Sequence, residues 1–151
     1  MGTWGADSFQ NDSALDWLSN LRESKDASLV RTTLSQVVEH HGTEHSPPSI
    51  LDRLRGRRQH TDWLTAGVAA KALAAAEIVA AWHGHPSATL PDGVMSWLQQ
   101  CSSSFQSDLV ALARKATSIV KRNSELKDLW EEGDASRWKG VVENLERRLS
   151  E

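Results

Sequence analysis

Apolar residues recur along this chain at helical spacing almost throughout. Ala14, Trp17, Leu18 and Leu21 fall at i, i+3, i+4 and i+7 behind Asn11 or Asp12, either of which can accept the free amide hydrogens of a helix start. A second helix follows Asp26, with Val30, Leu34, Val37, Val38 and His41 along one face, and stops at Gly42. Ser46-Pro47-Pro48 interrupts the pattern, because proline lacks an amide hydrogen and restricts the residue before it. Ile50, Leu51 and Leu54 then predict a short helix running into the basic stretch Arg53 to Arg58.

From about Thr61 to Trp82 the apolar positions wrap most of the circumference: Leu64, Val68, Leu73, Ile78, Val79 and many alanines. A helix apolar all round is buried on several sides, and alanine keeps its cylinder thin while favouring the helix. Gly84 and Pro86 end it, and Pro91-Asp92 signals the next start, with the stripe Val94, Trp97, Leu98 and Cys101. Phe105, Leu109, Leu112, Ala113, Ala116 and Ile119 follow. Leu126, Leu129 and Trp130 precede Gly133, and Trp138, Val141, Val142, Leu145 and Leu149 close the chain. No run alternates in the manner of a strand. The pattern therefore predicts one all-α domain over residues 1–151, six to eight helices packed around the alanine-rich one, with the amino-terminal arm docked on the bundle.

Composition narrows the class without naming a chemistry. With 151 residues and 16.7 kDa, the chain buries about two-thirds of its unfolded surface in one core. A net charge of −3 and 39% hydrophobic residues are ordinary for a globular protein. One cysteine cannot form an internal disulfide, which fits a reducing compartment. There is no basic stretch and apolar run at the start to read as a signal peptide, and Met1-Gly2 lacks the Ser or Thr of an acylation site, having Ala6 there. The longest apolar run, Ala66 to Trp82, carries Lys71 and Glu77 and is a poor membrane span. These features predict a cytoplasmic protein with no membrane partner and no cofactor.

The opening Met-Gly-Thr-Trp-Gly-Ala-Asp-Ser-Phe-Gln-Asn-Asp-Ser-Ala-Leu-Asp-Trp-Leu, with Ala-Ala-Glu-Ile-Val-Ala-Ala at 75–81 and Ser-Glu-Leu-Lys-Asp-Leu-Trp-Glu-Glu at 124–132, resembles the bacterial domain-of-unknown-function family numbered 4259. The resemblance runs through nearly the whole chain. Residues 39–60 fit the pattern less well and read as an inserted loop and short helix. By implication this is a small bacterial cytoplasmic protein, and the family supplies no activity.

Several constellations carry candidate chemistry, each beside a plainer role. His40, His41, Glu44 and His45, and the pair His83 and His85, are metal-ligand types, but no recognised ligand spacing appears, so surface or structural histidines and no metal are expected. Cys101 lies on an apolar stripe, where a thiol acts as a small hydrophobe rather than a nucleophile. With no Gly-x-Ser-x-Gly elbow and no phosphate-cradling glycine loop, no catalytic residue is assigned. Arg53, Arg55, Arg57 and Arg58 form a patch able to contact phosphates, against which stand the acidic balance and the lack of a basic recognition helix; nucleic acid is the weakest partner class. Asp7, Asp12, Asp16 and Glu23 make an acidic face able to steer a basic partner, although Asp12 also suits a helix cap.

Glu77 interrupts the most apolar helix, and an unpaired carboxylate there is costly. The structural expectation is a lock in which Glu77 accepts hydrogen bonds from an indole, such as Trp4, or from backbone amides of the glycine-tryptophan-glycine arm. The functional alternative is a carboxylate lining a small pocket. The leading expectation is a non-catalytic protein-binding domain, in its most concrete form an immunity- or antitoxin-like inhibitor of a basic toxin effector. The competing expectation is a small-ligand or metal-binding module, or an enzyme, built around Glu77 and nearby His or Asp. Of seven tryptophans, Trp17, Trp82, Trp97, Trp130 and Trp138 fall in phase with aliphatic faces and Trp63 opens the alanine-rich helix. Only Trp4 lacks a stripe.

Overall fold

The computed structural model describes residues 7–42, 65–122, 124, 130 and 136–151. Six α-helices lie in these residues: α1 (Asp12–Glu23), α2 (Ser28–Gly42), α3 (Ala66–Trp82), α4 (Val94–Cys101), α5 (Asp108–Arg122) and α6 (Ser136–Ser150), with a 3-10 turn at Ser102–Ser104. No strand occurs among the described residues, so the fold is all-α. The predicted stripes are the buried faces: Ala14, Trp17, Leu18 and Leu21 on α1, Val94, Trp97, Leu98 and Cys101 on α4, and Trp138, Val142, Leu145 and Leu149 on α6, where Val141, also expected in the stripe, is only half-buried.

Helix α3 packs against each of the other five. Every residue from Ala72 to Ala81 is buried, which is why the stretch is written in alanine: neighbours approach from all sides and larger side chains would hold them apart. Trp17 and Trp97 fill the flanks, and each indole N–H finds an acceptor, the hydroxyl of Thr33 at 2.8 Å and the carbonyl of Ser24 at 2.9 Å. Phe105 stacks on Trp82 at 5.4 Å and meets Trp97 in a T-shaped contact at 6.0 Å. A bidentate pair of Arg31 with Asp108, both contacts 2.8 Å, ties α2 to α5 and holds the Asp108 carboxyl below its ordinary range.

Of the two caps that the sequence offers for α1 the structure uses the first, and residues 61–64 of the expected alanine-rich helix lie outside the described residues. Two boundaries, before α4 and before α5, differ from the sequence expectation. Asn11, not Asp12, caps α1, accepting from the Ala14 amide at 2.8 Å; Asp12 is the first helical residue, where its charge meets the positive end of the dipole. The described α3 begins at Ala66, where Thr65 accepts from the Val68 amide at 3.3 Å. Pro91-Asp92 forms a turn rather than the first helical residues, and α4 starts after Gly93, whose φ of +86° suits glycine. Phe105 follows the 3-10 turn in extended conformation and precedes α5.

Helix α3 ends in a tight reversal. Gly84 takes φ +102°, its amide donates to the Ala81 carbonyl at 3.1 Å, and the His85 amide donates to the Ala80 carbonyl at 2.9 Å. This is the Schellman arrangement, and it turns the chain back over the helix end.

No helix among the described residues is long and apolar enough to cross a membrane. Cys101 is buried, and burial, with the nearby Asp26 charge second, pushes its thiol pKa up. Ellman's reagent is therefore expected to leave Cys101 unreacted in the native protein and to label it on unfolding in denaturant. Rapid native labelling would contradict this placement.

Candidate functional site

Glu77 is the one charged residue among the buried residues of α3, with 2% of its side chain exposed. Its partners come from both ends of the chain. Arg148 on α6 grips it with two guanidinium nitrogens, Nη1 to Oε2 and Nη2 to Oε1, each at 3.0 Å. The Ser8 hydroxyl donates to Oε1 at 3.0 Å. Arg148 is held in turn: Nη1 also donates to the His85 carbonyl at 3.2 Å, and Nε donates to Asn144 Oδ1 at 2.7 Å. The His85 carbonyl is available because the Schellman turn has reversed the chain there.

The glycine-tryptophan-glycine arm and Trp4, the donors expected for the lock, lie outside the described residues. Among the described residues the donors to Glu77 are a guanidinium and a serine hydroxyl, and the guanidinium supplies the compensating charge that a fully buried carboxylate needs. Both Glu77 oxygens are thus engaged, with Arg148 as the counter-charge.

Above this pair opens a cleft of about 330 Å³. The segment Asp7–Phe9 forms one side, fixed by burial of Phe9 and by reciprocal contacts of Asp7 and Gln10, in which the Asp7 amide donates to Gln10 Oε1 at 3.1 Å and the Gln10 amide donates to the Asp7 carbonyl at 3.0 Å. The loop Ser87–Thr89 forms the second side, with its two hydroxyls 3.0 Å apart. The third is the stripe of α6 carrying Arg137, Gly140, Val141, Asn144 and Arg148. These positions fall within roughly 100° of the helix circumference, beside the buried stripe that begins at Trp138.

Gly140 is the unexpected member. It sits inside α6, where glycine is less stable than alanine by about 0.5–1 kcal/mol. A Cβ built there meets nothing within 4 Å, so no neighbour demands the glycine. Gly140→Ala is expected to raise stability by about 0.5–1 kcal/mol in denaturant titration. A loss would show that the backbone there needs glycine.

The remaining candidate residues are distributed differently from the sequence expectation. Asp12, Asp16 and Glu23 are exposed and share one stripe of α1, within about 40° of one another. Asp7 is not on that stripe but lines the cleft. His83 and His85 lie with ring centroids 5.6 Å apart, and His85 Nδ1 is 3.5 Å from Glu151 Oε2. Among the described residues no group of three or more His, Cys, Asp and Glu comes together as metal ligands. Arg53, Arg55, Arg57, Arg58, Glu44 and His45 lie outside the described residues, as do the side chains of His40 and His41 and nearly all of the stretch 39–60 read as an insertion.

Arg137 and Arg148 were not singled out from sequence. For Arg148 a signal existed: a carboxylate in an otherwise apolar helix requires a cation, and Arg148 borders the apolar stripe of the last helix. Nothing in the sequence marks Arg137.

No curated protein and no solved structure matches this chain. One family model does, described as domain of unknown function (DUF4259), over residues 2–141. That match spans the amino-terminal segment, the alanine-rich helix with Glu77 and the first part of α6, and the chain belongs to this family.

Proposed function

We propose that this domain binds a small polar molecule in the cleft above the Glu77–Arg148 pair. The observation carrying the reading is the cleft itself, whose size is that of a small-molecule site and whose lining mixes apolar Phe9 and Val141 with converging polar groups. Gly140 supports it, since a helix-interior glycine facing open space gives up stability and leaves room for an occupant. The sequence expectation ranked protein binding first; a polar cleft beside Glu77 supports the small-ligand alternative. A bacterial cytoplasmic setting belongs to the same proposal and rests on the family resemblance and the single cysteine.

The test uses the full chain and its Gly140→Phe variant. Each is equilibrated with the small-molecule fraction of a cell extract, separated from unbound material, and its retained compounds identified by mass spectrometry. A compound held by the native protein and lost from folded Gly140→Phe supports the reading. No retained compound, or equal retention by the folded variant, overturns it.

A second reading keeps one specific observation in its favour. Asp12, Asp16 and Glu23 form an exposed acidic stripe on α1 with no ion pair among the described residues. Such a stripe suits a basic protein partner, as in an immunity- or antitoxin-like inhibitor, through long-range attraction. Association with such a partner is expected to slow as salt rises and to fail when all three acids become lysine. Association indifferent to both changes would remove this reading.

A further inference from the structure

The geometry points to a zwitterion of the amino-acid type as the occupant of the cleft, its carboxylate on Arg137 and its ammonium on Asp7. This rests on the cleft being a ligand site and adds the chemical class. Four charged side chains line the cleft: Asp7, Glu77, Arg137 and Arg148. Glu77 and Arg148 neutralise each other in a bidentate pair, and three further contacts, with Ser8, His85 and Asn144, hold that pair in place. The other two behave differently. Among the described residues neither the Asp7 carboxylate nor the Arg137 guanidinium has a hydrogen bond or an ion pair, and they do not pair with each other.

Among the described residues the cleft therefore presents one uncommitted cation and one uncommitted anion on either side of a neutral floor. An anion bound alone would satisfy Arg137 but face Asp7; a cation bound alone would have the reverse difficulty. A molecule with separated opposite charges satisfies both and introduces no net charge. Arg137 can take a carboxylate through two parallel N–H bonds, which a point charge could not do. The Asp7 backbone is pinned by Gln10, so its carboxylate need not be ordered by the ligand alone. Between these poles Phe9 and Val141 offer apolar contact for a carbon skeleton, and the Asn144 amide nitrogen and the Ser87–Thr89 hydroxyls offer polar contact for a side chain.

Amide NMR spectra of the full chain test this, with L-leucine, L-glutamine, L-arginine and γ-aminobutyrate as probes and sodium acetate, sodium phosphate and methylammonium chloride as single-charge controls. At least one amino acid is expected to shift the Ser87, Thr89 and Gly140 resonances and to saturate at about 1 mM or tighter, with the controls not saturating. Arg137→Ala and Asp7→Asn should each weaken that binding about tenfold or more while leaving the remaining spectrum native, since neither side chain contributes to the core. Acetate or phosphate saturating as well as the amino acids, with Asp7→Asn strengthening them, would make the cleft an anion site and overturn the zwitterion. No response to any amino acid would also overturn it; a compound from the extract still lost in Gly140→Phe would then leave the ligand cleft standing, and its absence would remove both.

Discussion

Replacing Arg148 by methionine is expected to destabilise the protein by about 3–5 kcal/mol, lowering the melting temperature by roughly 10–15 °C. The cause is asymmetry in burial. Glu77 has 2% of its side chain exposed, whereas Arg148 has 12%, so removing the cation strands a carboxylate that cannot reach water. Removing the carboxylate instead, in Glu77→Leu, leaves a guanidinium nearer the surface that still bonds Asn144 and the His85 carbonyl, and the loss should be smaller. The double variant Glu77→Leu/Arg148→Met should recover part of the single Arg148→Met loss, because an apolar pair of similar volume avoids desolvating two charges. Arg148→Lys keeps the charge but not the bidentate grip and should fall between wild type and Arg148→Met. Denaturant titrations of the four variants check this. An Arg148→Met protein within about 1 kcal/mol of wild type would mean that Glu77 has another partner.

Trp138→Ala is expected to lose a similar amount, about 3–5 kcal/mol, by creating a large cavity in the core. Trp138 is among the largest fully buried side chains and anchors the buried stripe of α6. Because that helix also carries the cleft stripe, loosening it should weaken binding in the cleft as well. Trp138→Phe should lose less, filling most of the same space. Urea titration followed by circular dichroism distinguishes the two, and a Trp138→Ala protein as stable as wild type would place the indole outside the core. The tryptophan excess is thus mainly a packing feature: Trp17, Trp97 and Trp138 are buried, and Trp82 and Trp130 are half-buried.

The elements were legible wherever burial follows a helical period. The stripes of α1, α4 and α6 and the many-sided burial of α3 depend on residues a few positions apart, and those are visible in one dimension. Helix ends were less legible, because Asn11 and Asp12 are both good caps and the choice depends on which side chain meets the Ala14 amide. Glu77 stood out as a buried charge, yet its partner did not, since Arg148 lies 71 positions away and only the fold brings them together. The cleft was illegible for the same reason. It exists because Asp7–Phe9, the loop after Gly84 and the outer stripe of α6 converge, and none of the three segments carries a ligand motif on its own.

Gly140 gives the account its sharpest test, because it separates stability from function. A helix-interior glycine with open space above it is understandable where an occupant needs that space. The most direct measurement is the amide NMR spectrum of the native protein with and without the small-molecule fraction of a cell extract. The ligand-cleft account predicts that the resonances of Ser8, Ser87, Thr89 and Gly140 move together and return when the extract is removed, while those of the α1 stripe at Asp12, Asp16 and Glu23 stay fixed. A cleft whose resonances do not move in any extract would contradict it.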